Sequence, residues 1–140
     1  MIKTTSQLIS LHAKLEEEAA GKLRALAQRH LGAAEALNKL ADENMQHRDT
    51  VTRVYREGVT DAFEVGYLSQ PLNEDDYTVK ELKGPLKEAI RTAILNEDTV
   101  MRFCMDASKD TNQLIPSLPQ TFQRLAKRKE KRKALLESLV

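Results

Sequence analysis

Apolar residues recur along this chain at three- and four-residue steps, the period of a helix that buries one face. Leu8, Leu11, Leu15, Ala19, Leu23 and Leu26 make the first run, and Gly32, just after His30 and Leu31, predicts its C-terminal stop. A second run passes through Leu37, Leu40, Ala41, Val51, Val54 and Tyr55 and ends near Gly58. The helical period then lapses over 59–77, where Gly66, Gln70-Pro71 and Asn73-Glu74-Asp75-Asp76 read as a crossover connection. Thr78-Val79-Lys80-Glu81 has capping-box spacing and predicts that a helix restarts there. Leu86, Ala89, Ile90, Ala93, Val100, Met101, Cys104 and Ala107 carry the third run. After a loop from about Thr111 to Pro119, Phe122, Leu125, Ala126, Leu136 and Leu139 carry the fourth.

This pattern predicts an all-α, single-domain chain: hairpin one over about 5–58, a crossover over about 59–77 and hairpin two over about 78–140. The halves also resemble each other. Glu16, Ala19, Leu23 and Leu26 align with Glu97, Val100, Cys104 and Ala107 at an offset of 81; Leu37, Leu40, Ala41, Asn44 and His47 align with Phe122, Leu125, Ala126, Lys129 and Arg132 at an offset of 85. A longer second loop accounts for the change of offset.

Polar residues interrupt each apolar face. On a helical projection Glu16 falls within the arc of Ala19, Ala20 and Leu23, and Glu97 lies between Ala93, Val100, Met101 and Cys104. Asn44 lies inside the second arc, with His47 near its margin and Glu43 turned toward solvent. Lys129 and Arg132 take the equivalent places on the fourth helix. A turn near residue 30 sets Glu16 opposite Asn44, and one near 113 sets Glu97 opposite Lys129. A carboxylate on a core face needs a metal, a cation, a proton or a hydrogen bond.

Composition narrows the rest. The 140 residues carry a net charge of +1, so no overall field favours nucleic acid or an anionic membrane. The basic run Lys127–Lys133 has no aromatic interleaving and predicts a solvated helix face rather than a nucleic-acid contact. One cysteine, Cys104, excludes an intramolecular disulfide and reads as a small buried hydrophobe. No apolar run approaches the ~18 residues of a membrane span, and the charged amino terminus predicts no secretory signal, so a soluble cytoplasmic protein is the expectation. His12 and His30 match nothing in the pattern and read as surface groups.

The spacing of the inward polar residues resembles the ferritin-like superfamily, rubrerythrin type. In those bundles two helices each give a glutamate and two each give an E-x-x-H pair to a di-iron site. Glu16 and Glu97 keep the family's spacing, although Leu23 and Cys104 stand where a tyrosine is usual. Asn44-x-x-His47 and Lys129-x-x-Arg132 stand where the two E-x-x-H pairs belong. The resemblance implies a ferritin-like four-helix bundle of two antiparallel hairpins joined by a long crossover, with a homodimer as the default association. It leaves two readings of the site. In one, Lys129 and Arg132 replace the metal charge with an internal ion-pair cluster, no cofactor is held, and the protein acts by self-association or by binding a protein partner. In the other, Glu16, His47 and Glu97, with Asn44 as a weak donor, hold iron or manganese, and the protein is a metal-dependent oxidoreductase acting on peroxide or oxygen.

Overall fold

Thr4 opens the first helix with a reciprocal cap: Gln7 N–H donates to Thr4 Oγ1 at 3.2 Å, while Thr4 N–H donates to Gln7 Oε1 at 3.2 Å. The computed structural model describes residues 1–59, 66–111 and 115–140. Four long helices dominate the described residues: α1 (Thr5–Arg29), α2 (Ala34–Gly58), α3 (Leu86–Asp110) and α4 (Ser117–Glu137). A single 3₁₀ turn, Leu31–Ala33, joins α1 to α2, so the stop falls within a few residues of Gly32. Arg24 pairs with Asp42 and Arg48 with Glu17, an order that sets α1 and α2 antiparallel. α3 packs along α4, and the two helix pairs meet through α1 against α3 and α2 against α4.

Two helix starts and one added element differ from the sequence expectation. The third helix begins at Leu86 rather than Thr78, because Gly84 adopts a positive φ of 82° and Pro85 caps the helix. The preceding segment is instead an extended strap. Asn96 accepts from Lys80 N–H and donates to Lys80 C=O, both at 2.9 Å, while Arg29 donates to the carbonyls of Leu82 and Gly84. Tyr77, Val79 and Leu82 are buried along it. The fourth helix starts at Ser117, two residues before Pro119, which fits a first turn because those N–H groups have no helical acceptor.

The third difference is a small antiparallel sheet of β1 (Ile2–Thr4) and β2 (Tyr67–Leu72), with Ile2 opposite Leu72 and Thr4 opposite Tyr67. It ties the crossover to the start of α1 and buries Ile2 and Leu68. The expected crossover residues 60–65 and loop residues 112–114 lie outside the described residues.

The core is divided. One apolar cluster takes Leu8, Leu11, Leu15, Val51, Phe103, Leu118 and Phe122; the other takes Leu23, Leu26, Leu37, Leu40, Ile90 and Leu136. On α2 the first ends at Val51 and the second at Ala41; on α4 they end at Ala126 and Leu136. Between them lies a polar layer.

Candidate functional site

Each helix sends polar side chains into that layer from the middle of its length: Glu16 and His12 from α1, Asn44, His47 and Glu43 from α2, Glu97 from α3, Lys129 and Arg132 from α4. Glu16, His12, Asn44, Lys129 and Arg132 have no measurable solvent exposure, and Glu97 and His47 are buried. The layer has two centres.

The first is the Glu16 carboxylate. Oε1 accepts from Lys129 Nζ at 2.7 Å and from Asn44 Nδ2 at 2.7 Å, and Oε2 lies 2.9 Å from His12 Nε2. His47 Nδ1 stands farther off, 3.9 Å from Oε2. Burial alone would raise this carboxyl's pKa, but the Lys129 ammonium first, then the His12 hydrogen bond, outweigh it and hold the group far below the ordinary carboxylate range.

The second centre is the Arg132 guanidinium. It forms a bidentate pair with Glu97, Nε to Oε1 at 2.8 Å and an Nη to Oε2 at 2.9 Å. The remaining N–H groups reach Leu40 C=O at 2.9 Å, Glu43 Oε1 at 3.0 Å and Asn44 Oδ1 at 2.8 Å. Burial works against the charge, and Glu97, with Glu16 and Glu43, more than restores it. Asn44 joins the centres, donating an amide N–H to Glu16 and accepting from Arg132 at its amide oxygen.

Glu43 departs from its expected place. It is half-buried rather than turned to solvent, bound to Arg132 and, at 2.6 Å, to Arg128. Burial raises the Glu43 carboxyl, and the two arginines reverse this to a net lowering. Three carboxylates, Glu16, Glu97 and Glu43, thus face three cations, Lys129, Arg132 and Arg128. That balance leaves His47 uncharged near neutral pH: burial first, then Lys129, pushes its pKa down to about 4.

His12 is the other correction. It is fully buried, stacked on Phe103 at 6.0 Å between ring centroids and edge-on to Phe122 at 5.5 Å. The signal was its position one turn before Glu16, on the face of Leu8, Leu11 and Leu15. His30 is half-buried at the end of α1. The basic run of α4 is largely consumed within the molecule: Lys129 and Arg132 are buried, Arg128 binds Glu43, and Lys133 binds Asp98 at 2.7 Å. Cys104 lies fully buried beside the layer, with its thiol pKa pushed well up by burial and by the Glu16 charge.

Among the described residues no three or more His, Cys, Asp or Glu side chains are grouped to hold a metal ion. The residues present do not fit a di-iron group: one oxygen of Glu16 is bound to an ammonium and both oxygens of Glu97 to a guanidinium, and two fixed cations at such range oppose divalent ions. No helix among the described residues is long and apolar enough to cross a membrane. No protein-family model, curated protein or solved structure matches the chain, so the reading of this buried layer rests on its own geometry.

Proposed function

We propose that this chain is a ferritin-like, rubrerythrin-type bundle in which an internal ion-pair cluster stands in place of the di-iron site, and that it acts by self-association or by binding a protein partner. The observation that carries the reading is the pairing of Lys129 with Glu16 and of Arg132 with Glu97, at the level where that family's glutamates hold metal. Four carboxylates are what offset the charge of two divalent ions there. Here two cationic side chains offset the same helices' glutamates without any exchangeable ion. The cluster has no open coordination position and no free nucleophile, so binding rather than turnover is the activity we assign. The protein holds no cofactor and works in the cytoplasm.

A homodimer is the association we expect. An open groove between α2 and α4 is lined by Ala36, Leu40, Leu135 and Leu139, with Lys39, Glu43 and Arg128 around it. Both signs of charge on one apolar groove suit a contact with a second copy about a two-fold axis.

Elemental analysis of protein purified without chelators, alongside sedimentation equilibrium, tests this. The expected result is well under one iron or manganese per chain, no peroxidase activity after iron is supplied, and a dimer. Two tightly held metals per chain would restore the oxidoreductase reading and overturn ours.

A further inference from the structure

What remains of the basic run on α4 forms one stripe. Arg124, Lys127, Arg128 and Lys131 stand at i, i+3, i+4 and i+7, a spacing that puts all four on one side of the helix. That side is turned outward: Arg124, Lys127 and Lys131 are exposed, whereas Lys129 and Arg132 on the inner side are buried. Among the described residues the side chains of Lys127 and Lys131 have no ion pair or hydrogen bond, and Arg124 reaches only the Thr121 hydroxyl, at 3.5 Å. The acids of α4, Glu130 and Glu137, lie off the stripe, and Glu130 is taken by Lys133 at 3.1 Å. The stripe runs into the groove between α2 and α4, because Arg128 and, one turn beyond Lys131, Leu135 both line it. Leu135 is 46% exposed, and Ala36, Leu40 and Leu139 give the groove an apolar floor.

We infer that this stripe and groove together dock an acidic amphipathic helix of a protein partner. Carboxylates at the same three- and four-residue spacing would meet Arg124, Lys127 and Lys131, and apolar side chains in the turns beyond would enter the groove beside Leu135 and Leu139. From Arg124 to Leu135 the stripe measures about 17 Å at 1.5 Å per residue, three turns of such a helix. Charge selects the partner, since three unpaired cations along one rim complement a chain of opposite sign. A nucleic acid would satisfy the cations but leave the apolar floor uncovered, and the stripe has no aromatic side chain on which a base could stack. A lipid surface is too flat to reach Leu40, which is only 5% exposed at the bottom of the groove. The inference rests on the partner-binding part of the proposed function and deepens it. Partner helix and second copy become alternative occupants of one groove, so binding of the partner separates the homodimer.

The test uses the full chain with a fluorescent, helix-forming peptide that carries glutamates at i, i+3, i+4 and i+7 and leucines in the turns beyond. Its controls are the same peptide with serines for the leucines, a single-stranded DNA of equal charge, and phosphatidylserine vesicles. The leucine peptide is expected to bind at least about tenfold tighter than the serine one. Its affinity should fall as salt is added, and should drop about tenfold for Lys127→Glu/Lys131→Glu. Both lysines are exposed and unpaired, so that variant keeps its fold by circular dichroism, and Arg124→Glu repeats the test at the other end of the stripe. Equal binding of the two peptides, no effect of charge reversal, or tighter binding of DNA or vesicles overturns the inference. Sedimentation equilibrium with the leucine peptide should show the dimer replaced by a one-to-one complex, and peptide bound to an intact dimer overturns the shared groove. A chain that is monomeric alone yet binds the peptide supports the inference while removing self-association from the proposed function. A dimer that ignores the peptide overturns the inference and leaves self-association standing.

Discussion

Arg132 is a guanidinium with every outward N–H direction used, and this makes its neighbours unequal in what their loss would do. Glu97→Ala removes the bidentate partner and leaves a fully buried cation with half-buried Glu43 as its one remaining ion-pair partner and Glu16 acting without direct contact. Breaking a buried pair from one side costs roughly 3–5 kcal/mol. Changing Glu97 and Arg132 together to Leu and Met removes both charges, and a denaturant double-mutant cycle should find the pair milder than the single change. Equal or greater loss in the double variant would mean that the Leu40 and Asn44 contacts of Arg132, not the ion pair, dominate. His47 supplies a pH dependence. Its folded pKa, about 4, lies below its ordinary value of 6.5, so the unfolded chain takes up the proton first. Its contribution is whole above pH 6.5 and is lost as pH falls toward 4, to a total of roughly 3 kcal/mol. Urea melts across that window should show the slope, and His47→Gln should flatten it. Glu16, with its lowered carboxyl pKa, adds a separate loss below the ordinary carboxylate range.

At the scale of elements, the strap before α3 is held by groups that lie far from it in sequence. Asn96, on α3, satisfies both backbone polar groups of Lys80, as a neighbouring strand would. Tyr77 is fixed by a 2.6 Å bond from its hydroxyl to Asp106, with the Arg102 guanidinium 5.1 Å above its ring. Asn96→Ala leaves two backbone groups without partners and should cost about 1–3 kcal/mol, with faster hydrogen exchange at the Lys80 amide. Unchanged exchange there would mean that packing of Val79 and Leu82 alone fixes the strap. Gly84→Ala acts on the backbone: at φ of 82° an L-residue is strained by roughly 1–2 kcal/mol. The added Cβ also meets Glu88 Oε2 at 2.8 Å, a flexible end that can swing aside. A thermal melt of Gly84→Ala that matches the unaltered protein would contradict this account of the helix start.

Across the whole molecule, the polar layer sits between two apolar clusters and touches all four helices, so its loss should loosen the bundle as a unit. Cys104 reports on that. Its thiol is buried between the layer and the larger apolar cluster, and burial keeps it protonated. A thiol reagent should label it only through opening of the bundle, at a rate that falls with global stability. Glu97→Ala should raise labelling by the factor its melt predicts, roughly tenfold per 1.4 kcal/mol if opening stays global. Rapid labelling of the unaltered protein would place Cys104 in a locally mobile region instead.

The local chain determined a good deal by itself. Apolar residues at three- and four-residue steps located the four helices, because a helix that buries one face must repeat with its own period. The same projection turned Glu16, Asn44, Glu97, Lys129 and Arg132 inward. Other features depended on partners distant in the chain. The capping-box letters at Thr78 do not start a helix, since Gly84 and Pro85 follow and Asn96 offers the extended backbone its hydrogen bonds. β1 and β2 pair across 60 or more residues and are too short for a period to show. His12 looked like a surface group until Phe103 and Phe122 closed over it, and Glu43 like a solvated acid until two arginines of α4 reached it. Which cation meets which carboxylate was likewise decided only in the folded bundle. Helical phase says that a side chain faces inward, but Lys129 crosses to Glu16 on α1 while Arg132 takes Glu97 on α3, a choice set by how the two helix pairs pack.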